Sequence, residues 1–255
     1  MNNDRFRLVG MLHLPPLPGI PNYQGTPLPK IIDQAVSDAV TLDQAGFTHL
    51  LLQNASDVPA QTTVAPSTIA IMTRIATEVG QATSLPLGIN VAHNDGPGAL
   101  AIAYAVEAPF IRVKVLTGAA VGPDGIMPGC ALATAELRTR LDASVQIWAD
   151  VNEATSLPLA PGADDSWVAV EAVKFGGADA LVVTKDSGVP DALQAITRIR
   201  AALPGVPVLI GGRVTPATID AVRAGADGAI IGGALKADSG MFTRVDIERA
   251  RAFSA

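Results

Sequence analysis

The stretch VPVLIGGRVTPATIDAVRAGADGAIIGGALK, residues 206–236, contains one whole repeat of the fold. It opens on an aliphatic run at 206–211, short and rich in Val and Ile as a buried strand is, and turns at Gly211-Gly212. A helical pattern over 216–224 follows, with Thr215 as its N-cap and Pro216 at its first position. The AGADG run at 224–228 ends that helix on glycine and leads straight into a second aliphatic run at 228–231. Strand, helix, strand in immediate succession is the unit of a parallel sheet.

Outward from that stretch the alternation recurs about eight times, roughly every thirty residues. The expected strands are 7–14, 49–53, 86–91, 110–115, 145–151, 178–184, 206–211 and 228–231. Between them lie Ala-rich helical segments at 31–45, 67–83, 99–106, 131–141, 167–175, 191–202 and 216–224. Eight such units in 255 residues close most simply into an α/β fold of one domain, a (β/α)₈ TIM barrel spanning 1–255. An open doubly wound sheet is the alternative, and it strands several units at unexplained edges.

Composition narrows the partners. A net charge of −6 and the lack of any basic run argue against nucleic acid. An anionic ligand must therefore be held locally, by backbone amides and one or two placed cations. No apolar run reaches the ~18 residues of a membrane span. One cysteine, Cys130, excludes an intrachain disulfide framework, and residues 1–8 carry Asp4, Arg5 and Arg7 with no apolar leader. The expectation is a reducing, cytoplasmic setting; homo-oligomerisation is compatible with the sequence but no stoichiometry is fixed.

Barrel chemistry sits at the C-terminal ends of the strands, so parity matters there. In 110–115 the odd residues Ile111, Val113 and Val115 suit the helix-facing layer, which turns Arg112 and Lys114 inward. In the next strand Asp150 and Asn152 share the inward parity, and Asn90 does so on the third. Buried charges must be paired, so one reading is a polar plug in which Asp150 neutralises Arg112. The other makes Asp150 and Lys114 ligand-contacting acid–base residues, joined by His13 at the end of the first strand. Lys185 follows the sixth strand, as a cation for a ligand or a Schiff-base nucleophile. Cys130 has no partnered histidine and reads as inert.

Phosphate-binding barrels use the loops after strands seven and eight. Here those loops carry Gly211, Gly212 and Arg213, then Gly232 and Gly233, while Ser187 and Gly188 after strand six offer a third wall. Paired glycines admit an anion close to backbone N–H groups, and Arg213 supplies a planar cationic fork. No His, Cys and carboxylate cluster has metal-ligand spacing, so no resident cofactor is expected, though Asp150 or Asp95 leaves room for transient Mg²⁺. Two loops are long, 13–29 and 116–129, and loops of that length after barrel strands serve as lids or pocket walls.

HLPPLPGIPNY (13–23), LLQNASDVPA (51–60), GINVAHNDGPGALAIA (88–103), FIRVKVLTGA (110–119), DGIMPG (124–129), IWADV (147–151) and the terminal glycine loops together resemble the BtpA/SgcQ family. The resemblance runs in order from about Gly10 to Phe253, and its HLPPLPG and NDGPGALAIA segments are the specific ones. It implies a phosphate-binding type of TIM barrel, some of whose members carry sugar-nucleosidase labels, in a family named for a role in photosystem I biogenesis. His13, Asn54, Asp57, Asn94, Asp95, Arg112 and Asp150 fall on its segments, which adds Asn54, Asn94 and Asp95 to the candidate substrate contacts. Departures cluster at the strand ends: Gln53, His93, Lys114, the histidine-free ADVNEAT segment with Asn152, and Lys185 with Asp186.

Two functions fit. One is an enzyme acting on a small phosphorylated sugar or nucleoside-like metabolite, as a lyase, an isomerase or epimerase, or a glycosidic hydrolase. The other is a non-catalytic metabolite binder or membrane-complex assembly factor, which needs an exposed apolar patch or a docking loop such as 15–29.

Overall fold

The structure, a computed structural model, describes residues 6–123, 125–152, 155–160, 162–238 and 243–254. The leader reading of residues 1–5, Asp124 of the DGIMPG segment and residues 153–154 of the ADVNEAT segment lie outside them.

Eight parallel strands close into a barrel: β1 (Arg7–His13), β2 (His49–Gln53), β3 (Leu87–Asn90), β4 (Phe110–Val113), β7 (Gln146–Val151), β9 (Ala180–Val183), β10 (Val208–Gly211) and β11 (Gly228–Ile231). Each lies beside its neighbour in sequence order, and β1 pairs with β11 to shut the ring. The helices are α1 (Leu28–Gln44), α2 (Pro66–Ala82), α3 (Gly96–Ala105), α4 (Ala131–Arg140), α5 (Asp165–Lys174), α6 (Val189–Ala202), α7 (Ile219–Gly225) and α8 (Ile247–Ser254). In α1 the buried stripe Ile31, Ala35, Asp38, Ala39 and Leu42 has helical spacing, and the aliphatic residues on it are what the strands need as a cover. None of the described helices is long and apolar enough to cross a membrane.

Strand alternation builds two cores. Residues of one parity, among them Ile111, Val113, Ile147 and Ala149, join the layer between strands and helices. Residues of the other parity fill the barrel's lower interior, where Phe110 and Trp148 stack at 3.8 Å with their planes 13° apart. That stack fixes Gly88. A Cβ there would lie 2.1 Å from the Phe110 ring. Gly88→Ala is therefore expected to lower stability by about 1–3 kcal/mol through overpacking, read as a reduced urea midpoint; an unchanged midpoint would contradict the packing argument.

Parts of the fold differ from the sequence reading. The long stretch 116–129 is no irregular loop: it folds as a hairpin of β5 (Ala119–Gly122) and β6 (Gly125–Pro128), and β8 (Leu157–Pro158) joins it as a third antiparallel strand. Each of these strands is four residues or fewer and is broken by Gly or Pro, too short for the period-two pattern to be read. Thr215 and Pro216 do not start a helix. Thr218 N–H and Oγ1 bond back to the Thr215 carbonyl, closing a turn, and α7 begins at Ile219. The stretch after β1 is held down by Leu17 N–H on Asp57 Oδ1 and Ser56 Oγ on the Leu14 carbonyl.

Candidate active site

Parity carries Arg112 on β4 and Asp150 on β7 to the upper barrel, on adjacent strands. Arg112 Nε and Nη2 donate to the two carboxylate oxygens of Asp150 at 2.8 and 2.9 Å, a bidentate pair. The Asp150 side chain is 1% exposed and that of Arg112 16%. A carboxylate gripped through both oxygens by a guanidinium is fixed in place, with an acceptor position on each oxygen already used. Asn90 Nδ2 donates to the Arg112 carbonyl at 2.8 Å and ties β3 to the same place. Lys114 stands just past β4, its Nζ donating to Thr155 Oγ1 at 2.6 Å.

Above this pair opens a cavity of ≈ 510 Å³ at the C-terminal mouth of the barrel. His13, Gln53, His93, Arg112, Lys114 and Thr184 border it, with Gly211–Gly212 and Gly232–Gly233 on one side. Among the described lining residues the charged ones are Arg112 and Lys114, both cations. The glycines bring backbone close. A Cβ at Gly211 would sit 2.6 Å from Thr184 Oγ1, and one at Gly232 would sit 2.8 Å from His13 Cε1. Burial lowers the His13 pKa to about 4, helped by the positive charges of Lys236 and Arg112, so the imidazole is neutral at pH 7. His13 Nδ1 and Thr184 Oγ1 are shut off from solvent, and neither has a hydrogen-bond partner among the described residues.

Other candidate residues are engaged elsewhere. Arg213 Nη2 meets Asp186 Oδ1 at 3.2 Å, both side chains largely exposed, and Ser187 is exposed beside them. Gly188 precedes α6 with a φ of 108°, a conformation that favours glycine. Lys185 Nζ (2.6 Å) and Asn152 Nδ2 (3.1 Å) converge on Asp165 Oδ1 at the start of α5, and Arg198 reaches the other oxygen. Asp95 accepts from Gly98 N–H and Val64 N–H, an N-cap and a loop clasp. Asn94 holds the Val115 backbone at both its N–H and carbonyl, and Asn54 receives Ala92 N–H while donating to Asp57. Burial raises the Asp57 pKa and pushes the Cys130 thiol up as well. No group of three or more His, Cys, Asp or Glu side chains able to hold a metal exists among the described residues.

Sequence reading missed Thr184 and Thr155 as cavity residues, and the buried pair of Lys236 Nζ with Asp38 Oδ2 at 3.3 Å. Thr184 was within reach: it shares the inward parity of Val182. Thr155 lies beyond the strand, where alternation says nothing, and Asp38 looks like any polar residue on an amphipathic helix.

Residues 5–255 match the BtpA family. An uncharacterized protein of Pyrococcus horikoshii is 41% identical over 247 residues, covering 95% of this chain and 92% of its own. The photosystem I biogenesis protein BtpA of Synechocystis is 32% identical over 249 residues, covering 96% of this chain and 86% of its own. Among solved structures, a tryptophan synthase from M. tuberculosis superposes with a TM-score of 0.63 at 14% identity, covering 99% of this chain and 90% of that one, a likeness of fold.

Proposed function

The chain belongs to the BtpA family, and from that footing we propose that it is an enzyme acting on a small anionic, phosphorylated metabolite at the barrel mouth. One observation carries the reading: in a protein of net charge −6, the charged residues described around the mouth cavity are cations. Arg112 is already balanced by Asp150, so the cleft draws an anion through the donor groups of Lys114 and Arg112 and the close backbone of the glycine turns, not through two uncompensated charges.

In this reading Lys114 and the cavity edge of Arg112 hold the phosphate, and Gly211–Gly212 and Gly232–Gly233 let backbone approach it. Asp150 acts as a positioning residue, fixing the Arg112 fork. Proton handling passes to neutral His13 and to Lys114, with Thr184 and Gln53 orienting the sugar-like part. Proton transfer by such a pair serves an isomerase, a lyase or a hydrolase alike.

The test is a thermal-shift series with inorganic phosphate and pentose and hexose phosphates on wild type, Lys114→Met and Arg213→Ala. Ligand at about 100 times its Kd stabilises by about 2.7 kcal/mol, a rise of about 5–11 °C at this size. The expected result is a rise in wild type that Lys114→Met loses and Arg213→Ala keeps, since Arg213 stays on Asp186. No rise from any phosphate overturns the reading.

A role in assembling a protein complex is the second reading, and one observation favours it. Val121, Ile126 and Leu157 oppose one another in register on the small sheet, 39, 64 and 75% exposed. Full biological function in Lys114→Met would favour this role over the enzyme.

A further inference from the structure

Beneath the three-stranded sheet lies a second pocket of ≈ 70 Å³. Its roof is β5 and β8, its floor the chain leaving β4, and its far wall α5. Leu116, Ala120, Pro158, Trp167, Val168 and Ala172 make it largely apolar. Its polar end is different in kind: Lys114 and Asp150 form part of the lining, and Lys114 also borders the mouth cavity. Lys114 is thus common to the two linings. The sheet itself is packed onto the barrel through Ala120, Met127 and Val115, so the roof is a built part of the fold.

The volume sets the guest. It is roughly half that of a ~150 Å³ dry cavity that admits benzene, so an aromatic ring is too large and a short alkyl group fits. Thr117, Asn152 and Ser156 also border the pocket, so water has partners on that polar side and few along the apolar walls, which are left to an alkyl guest. We propose that this pocket receives a short apolar group, about two to four carbons, of the ligand whose charged end rests in the barrel mouth. The proposal rests on the anionic-ligand reading of the mouth and narrows it to phosphorylated or similarly charged metabolites with a small aliphatic substituent. Trp167, half exposed at the pocket rim, is its reporter.

The chain has two tryptophans, so ¹⁵N-labelled protein gives two indole signals, assigned with Trp167→Phe. The probes are inorganic phosphate, n-propyl phosphate and 2-methylpropan-1-ol. n-Propyl phosphate is expected to bind roughly ten-fold more tightly than inorganic phosphate and to move the Trp167 indole signal. The alcohol alone should move the same signal while leaving that of buried Trp148. Ala172→Leu, which fills the pocket from α5, should abolish the alkyl preference and the Trp167 response without changing the affinity for inorganic phosphate. Ala120→Val, which fills it from the sheet, repeats the test should Ala172→Leu fail to fold. An alkyl preference that survives both fillings, or a Trp167 signal that neither alkyl probe moves, overturns the pocket. If both phosphates fail to bind but the alcohol response is present and is blocked by filling, the mouth reading falls and the apolar site stands.

Discussion

Acidification from pH 7 to 4.5 is expected to remove about 2–3 kcal/mol of folding stability through His13 alone. The folded protein holds this imidazole at a pKa of about 4, against 6.5 for an ordinary histidine, because burial disfavours the cation and Lys236 and Arg112 repel it. Between those two values the unfolded chain binds a proton that the native state refuses. Stability from His13 is therefore complete above pH 6.5 and drains away as the pH falls towards 4. His49, at the opposite end of the barrel, is also lowered to about 4, by burial and by Arg7, and acts in the same direction. Asp57 acts in the opposite direction, since burial raises its pKa and a raised carboxyl pKa favours the fold in acid. Urea midpoints of wild type and His13→Gln at the two pH values separate these contributions, because every other group is common to both proteins. The variant should lose about 2 kcal/mol less than wild type on acidification. Equal losses would sink the assignment. The same result bears on function: an anion placed in the mouth cavity would offset the two cations and raise the His13 pKa, so bound phosphate should shift the acid transition of wild type and leave that of His13→Gln in place.

How far the sequence reaches is visible in particular residues. Parity along β4 and β7 places Arg112 and Asp150 on one interior, because side-chain alternation is a property of the strand itself. It does not rank the partners of Asp150. The sequence left two partners open, Arg112 in a polar plug and Lys114 as an acid–base companion, and the structure pairs Asp150 with Arg112; only the bidentate form of that grip depends on side-chain reach and fork geometry. The count of eight strand–helix units, not alternation within a strand, points to the closed barrel, and the glycine pairs at the ends of β10 and β11 fall at the mouth as expected from their chain positions. What was illegible was non-local. Lys185 turns to Asp165, twenty residues away, and Arg213 to Asp186, twenty-seven away, so neither cation is committed to the mouth. Asn94 and Asp95 lie on a family segment, yet their hydrogen bonds go to backbone, a use that residue type alone does not distinguish from ligand contact. The small sheet hides because its strands are too short to carry a pattern.

The longest-range of these hidden contacts gives the largest expected loss. Lys236 follows the 3₁₀ turn Gly233–Leu235, directly after the glycines of the mouth, and its side chain is 1% exposed. Its partner Asp38, on the inner face of α1, is 3% exposed and accepts Val245 N–H through its other oxygen. Removing one member of such a pair strands the other charge in a place that water does not reach. Lys236→Met is thus expected to cost about 3–5 kcal/mol, a third or more of the stability of an ordinary domain. The double variant Lys236→Met/Asp38→Asn should recover most of that loss, since a neutral Asn still accepts the Val245 N–H and no charge is left behind. Recovery distinguishes a stranded carboxylate from simple loss of lysine packing, for which the second substitution would do nothing. The double variant also removes one of the two cations that depress the His13 pKa, so the His13 ring-proton titration, followed by NMR, should move up from about 4 towards 6.5. A His13 titration that stays in place in a folded double variant would show that Lys236 holds the wall of the mouth together without tuning its imidazole.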